Sequence, residues 1–298
     1  MHKLHAYKFR MKNKININKT FHFLTLFVFT FSISVCCLTP CIGELKKQNI
    51  PTIKITPNIW GGAKITDIHK VLESTARQIT PYIWQKNLNP IQVDRSQTGP
   101  IVLYRRGTNG EYLVRLNTLK TFWSQYAFQF AHELGHIICG FKKGDPSNMW
   151  FEESICETAS LFALLNMANE WKKKPPYPNW KSYGQEFAKY AQKRIKKHPW
   201  PKNKSLGDWF NENKNDLTQR PADRGRNVRI ASKLLPLFQE KPSRWEACAF
   251  INVKKTNKKR SFSTYLEDWK KSCKTAEQIN FVEKIAFLFR IQSIKDHQ

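Results

Sequence analysis

Between Ile65 and Ile79 apolar residues return every three or four positions (Ile65, Ile68, Leu72, Ala76, Ile79), the period of an amphipathic helix. Two strand-like runs follow, Ile101-Val102-Leu103-Tyr104 and Tyr112-Leu113-Val114-Arg115-Leu116, separated by the turn signal Gly107-Thr108-Asn109-Gly110. They predict a β-hairpin. Residues 121–131 contain neither Pro nor Gly and are apolar on more than one side, as a buried helix would be. Gly140 is placed to end that helix. A second helix should begin near Asn148, acidic in its first turn. After Pro175-Pro176-Tyr177-Pro178 the pattern turns helical, with amphipathic segments over 183–197, 222–239, 244–251, 262–272 and 276–291. The expected class is α+β: a small sheet with two buried helices, then a mainly helical lobe. Neither internal repeats nor low-complexity tracts interrupt it.

Chemistry concentrates in the first buried helix. His132-Glu133-Leu134-Gly135-His136 reads H-E-x-x-H. Residues four apart share a helix face, so both imidazoles can reach one metal ion, with Glu133 beside them to hold a water. A catalytic zinc takes three protein ligands and keeps one position open. A third His in the pattern H-x-x-G-x-x-H is excluded, because Cys139 and Lys142 hold its key positions. The acidic helix start supplies an alternative. Glu153 and Glu157 are four apart and share a face, while Glu152 points about 100° away on ideal geometry. One carboxylate can bind zinc and the other can hold a ligating imidazole.

His132-Glu133-x-x-His136 followed by Trp150-Phe151-Glu152-Glu153-Ser154-Ile155 resembles the gluzincin metallopeptidases over residues 119–161. Aminopeptidase-N-like members carry a W-L-N-E-G-F type segment whose Glu is the third ligand, which falls on Glu153. Thermolysin-like members place an Asp four residues later against a ligating His, which falls on Glu157. This chain departs in having Ser154 for the Gly and Glu for the Asp. The resemblance implies a zincin-like core, Zn2+ held by His132, His136 and Glu153, Glu133 as general base, and Glu157 supporting an imidazole. It also implies that the sheet's edge strand lines the cleft and pairs with extended substrate. A Tyr or His from further along should stabilise the oxyanion; His198, Tyr183, Tyr190 and Tyr265 are the candidates.

The ends of the chain bear on place. Lys3, Lys8, Arg10, Lys12, Lys14 and Lys19 precede an almost wholly apolar stretch over residues 21–38. That order predicts a secretory signal, with a short membrane anchor as the alternative; either puts the catalytic part outside the cytoplasm. Cys36, Cys37 and Cys41 invite a lipoprotein reading, but Val35, Cys36 and Pro40 before them make no lipobox. The formal net charge is +27, and without those six basic residues it is still +21. Such a field favours anionic partners, an envelope surface among them. The lysines are dispersed and no nucleic-acid-binding motif occurs, so solvated charge is the simpler reading. Cys139, Cys156, Cys248 and Cys273 remain in the exported part, enough for Cys139–Cys156 and Cys248–Cys273 bridges or for four buried thiols.

The expected organisation is therefore a signal or anchor at 1–43, a catalytic subdomain at 44–171 and a helical subdomain at 172–298. The expected activity is hydrolysis of peptide bonds in a peptide or protein substrate. Two rivals stand beside it: a silent surface binding protein on a peptidase-like fold, and a zinc amidase acting on cell-wall material.

Overall fold

The computed structural model describes residues 50–254 and 259–291, so the basic start and the apolar stretch before position 44 lie outside it. The described fold is α+β, mainly helical with one small mixed sheet. β1 (Ile53–Ile55) leads into α1 (Ile65–Ile79), which crosses back to β2 (Ile91–Arg95), parallel to β1. A parallel pair requires such a crossover. β3 (Ile101–Arg106) and β4 (Tyr112–Leu116) form the expected hairpin, with Val102 opposite Val114. β4 also lies parallel to β2, with Val114 opposite Val93. The order is β1-β2-β4-β3, which leaves β3 at the edge with Ile101 and Tyr104 exposed.

α2 (Trp123–Ile138) follows β4, and α3 (Met149–Lys173) follows α2. Around α3 pack α1, α2, α4 (Gly184–Lys197) and α6 (Arg224–Glu240); α5 (Leu206–Gln219) and α7 (Trp245–Cys248) complete this side with α8 (Phe262–Ser272) and α9 (Ala276–Leu288). α3 is buried on every side, so its polar residues bond inward. Ser154 and Thr158 donate to the carbonyls one turn back at 2.7 Å each, and Ser160 donates to the Phe128 carbonyl of α2 at 2.8 Å. Buried hydroxyls need such partners.

Glu152 lies in the first turn of α3 and Glu153 and Glu157 in the next two, and aromatic rings anchor this end of the helix. The ring centroids of Trp150 and Phe151 lie 4.8 and 5.1 Å from that of Phe262, with Phe210, Trp269 and Phe289 around them. Burying one Phe contributes about 1.5–3 kcal/mol. The turn before α3 is held by Asp145, whose carboxylate accepts from the Ser147 and Asn148 N–H groups and from Arg260 at 2.8 Å. α8 and α9 thus hold the start of α3 in place. One hydrophobic core runs through residues on both sides of position 171, from Ile53 to Phe289. Among the described residues no helix is long and apolar enough to cross a membrane.

Candidate metal centre

α2 places His132 and His136 on one face, with ring centroids 5.2 Å apart. Gly135 lies between them. A Cβ there would stand 2.9 Å from the Cα of Cys156, so only glycine permits this approach of α2 to α3. The close crossing brings the carboxylates of α3 to the imidazoles. Glu153 meets the Nε2 of His132 at 3.2 Å and the Nε2 of His136 at 3.7 Å. Each Nδ1 has its own carboxylate: Glu157 lies 3.6 Å from that of His132, and Glu152 lies 2.8 Å from that of His136.

The outer carboxylates are themselves held. Arg194 of α4 donates to Glu157 at 2.9 Å and lies over the ring of Phe128. Asn252 donates to Glu152 at 2.7 Å and receives the hydroxyl of Tyr265 at 3.3 Å. The hydroxyl of Tyr104, on β3, donates to Glu152 at 3.3 Å and lies as far from the Nδ1 of His136. A Cβ at Gly144 would run into the Glu152 carboxylate.

Glu152 therefore corrects an expectation. It does lie on another face of the helix than Glu153, but α3 is buried on every side and that face also looks onto the site. The expected pairing of Glu157 with an imidazole is found, and the pairing of Glu152 with the other one was missed. So were Tyr104, Arg194 and Asn252. Of these, Tyr104 alone had a signal in the sequence, as a residue of the predicted strand. Among the oxyanion candidates, Tyr190 lines the cavity in front of the histidines. Tyr265 is buried against Asn252, Tyr183 meets Ser124, and His198 packs against Gly225 at the end of α4.

That cavity measures about 370 Å³. β3 forms one wall with Ile101, Val102 and Tyr104, and α4 and α6 form the other with Tyr190, Arg194, Arg224 and Asn227. Glu133 lines it together with Val102 of β3 while almost wholly buried. Burial raises the Glu133 pKa above the usual carboxylate range despite the neighbouring imidazoles. For His132, burial opposes the charged form, but hydrogen bonds to Glu153 and Glu157 outweigh it and hold the group well above its ordinary value. His136 is likewise opposed by burial, yet Glu152 lifts it to about 9. Glu153 is pushed up by burial but is held below its ordinary value by His132, His136 and Arg224.

Both Nε2 atoms face the Glu153 carboxylate and each Nδ1 stands near a further carboxylate, a donor set that a metal ion such as zinc could take. Cys156 also falls within 4.8 Å of both imidazoles. It is fully buried and does not line the cavity, whereas Glu153 does, and an open coordination position must face the cavity. All four described cysteines are free thiols. Cys139, Cys156 and Cys248 are buried, the charge of Cys139 is linked to the other two, and Cys273 caps α8, where two bridges were one expectation. Compared with known protein families, with curated proteins and with solved structures, the chain matches none.

Proposed function

We propose that this chain is a zinc-dependent peptidase of the gluzincin type, built on a zincin-like core. One observation carries the reading: both Nε2 atoms turn to Glu153 while Glu152 and Glu157 hold the two Nδ1 atoms. Zinc bound there would polarise a substrate carbonyl and lower the pKa of a bound water toward about 7. His132, His136 and Glu153 are its ligands, and Glu152 and Glu157 orient the imidazoles. Glu133, its basicity increased by burial, takes the proton of the attacking water and passes it to the leaving amine. Tyr190, the one oxyanion candidate lining the cavity, donates to the developing oxyanion. β3 is an edge strand along the cavity, so an extended peptide can pair with its backbone. The chain before position 44 supports export, with or without anchoring.

The test is a zinc measurement on the purified protein together with turnover of a peptide library by wild type and Glu133→Gln. Stoichiometric zinc in both, with turnover only in wild type, is expected. A wild-type protein that takes up no zinc on titration ends the proposal.

A further inference from the structure

The cavity holds two guanidinium groups with different surroundings. Arg194 is engaged by Glu157 at 2.9 Å. Arg224, at the start of α6, lines the cavity, is exposed, and has no ion-pair or hydrogen-bond partner among the described residues. Nearby carboxylates are already taken: Asp223 caps α6 and pairs with Arg226, and Asp216 pairs with Arg220 and Arg226. Arg224 lines the same cavity as Glu153, Glu133 and Tyr190, the side where a scissile bond would lie. Pro100, Ile101, Val102, Phe128 and Met149 supply the apolar part of the wall.

We infer that Arg224 selects substrates bearing a carboxylate within about two residues of the bond to be cut, an inference that rests on the peptidase reading above. A planar guanidinium with free donors matches a carboxylate in bidentate fashion. A phosphate fits less well, since Glu133, Glu152, Glu153 and Glu157 surround the same cavity and repel a dianion more strongly than a monoanion. The basic surface also draws anionic peptides toward the cleft. The carboxylate has two sources, an Asp or Glu side chain or the end of the peptide.

The experiment uses the full chain, zinc-loaded, as wild type, Arg224→Ala and Arg224→Glu. Matched peptides carry Glu or Gln at each position near the cut, and each is made as free acid and as amide. The reading is the ratio of kcat/KM between partners of a pair, with the same ratio of affinities measured by calorimetry on the Glu133→Gln background. Wild type should favour one carboxylate about ten- to hundred-fold, as a charged hydrogen bond implies. Side-chain pairs discriminating would identify an acidic residue, and acid–amide pairs would identify the chain terminus. The ratio should fall to about one in Arg224→Ala and below one in Arg224→Glu. Equal ratios in wild type and Arg224→Ala overturn the inference, and zinc-dependent cleavage of neutral peptides would leave the peptidase reading standing. If zinc binds but no peptide is cleaved, the peptidase reading fails, and the calorimetric ratio still decides whether Arg224 binds a carboxylate.

Discussion

Replacing Glu157 by Gln tests the site at its most specific point. The Glu157 side chain is 3 % exposed and holds two groups, the Nδ1 of His132 at 3.6 Å and Arg194 at 2.9 Å. Gln keeps the volume but cannot balance both charges. A carboxylate behind a ligating imidazole is worth 10–100-fold in metal affinity, or about 1.4–2.7 kcal/mol. The zinc Kd should rise by that factor while stoichiometric binding persists at saturating metal. A second cost falls on the metal-free protein, because Arg194 loses its carboxylate. Arg194 is 23 % exposed, so water offsets part of the roughly 3–5 kcal/mol that breaking a fully buried pair costs. Competition against a chromophoric chelator gives the Kd, and thermal melting in chelator gives the second cost. Glu153→Gln, which removes a ligand, should weaken zinc binding far more. If Glu157→Gln weakens zinc as much as Glu153→Gln, the two roles are wrongly divided. If it leaves the Kd unchanged, Glu157 does not orient His132.

Three further outcomes follow from the same geometry. Gly135→Ala must push Cys156 away, since the added Cβ would sit 2.9 Å from both its Cα and its Sγ; overpacking of about 1–3 kcal/mol should appear as a lowered Tm together with weaker zinc binding. Cys156→Ser should keep stoichiometric zinc with a Kd within a few-fold of wild type, and complete loss of zinc would make Cys156 the third ligand in place of Glu153. In the metal-free protein Glu152 lifts the His136 pKa to about 9, and Glu153 and Glu157 raise that of His132, whereas zinc needs both imidazoles neutral. Affinity should therefore climb as pH rises from 6 toward 9, with net proton release at pH 7; calorimetry in buffers of different ionisation heat would refute this by finding none.

What could be read from the chain depended on how local the determining contacts are. α1, the β3–β4 hairpin and α8 have their expected positions because a single period or turn signal specifies each. β1 and β2 went unnamed: β1 has three residues, and it exists through parallel pairing with a strand nearly forty positions away. α5 was missed because Gly207 and three asparagines dilute its pattern, and its burial rests on Leu206, Trp209, Phe210 and Leu217 meeting distant helices. In the site, helical spacing alone put His132 with His136 and Glu153 with Glu157, and the resemblance divided the roles of the two acids. Arg194 and Asn252 were not, because they lie 37 and 100 positions from the carboxylates they hold.

The arrangement of carboxylates bears on the choice between the proposed metal centre and a buried ion-pair network. A network that served only to neutralise two imidazoles would be complete with Glu157 on His132 and Glu152 on His136. Each of those acids is anchored from behind, by Arg194 and by Asn252. Glu153 adds a further, half-buried carboxylate, shared between two rings that already have partners, and placed on their Nε2 side. Its pairing with His132, His136 and Arg224 outweighs its desolvation, so its charge is retained beside the cavity. A dication with two nitrogen ligands and one oxygen ligand would use that placement. The same logic explains why the outer acids need their own anchors. When the imidazole protons leave on metal binding, Glu152 and Glu157 must accept the Nδ1–H groups without turning, and Asn252 and Arg194 keep them from doing so.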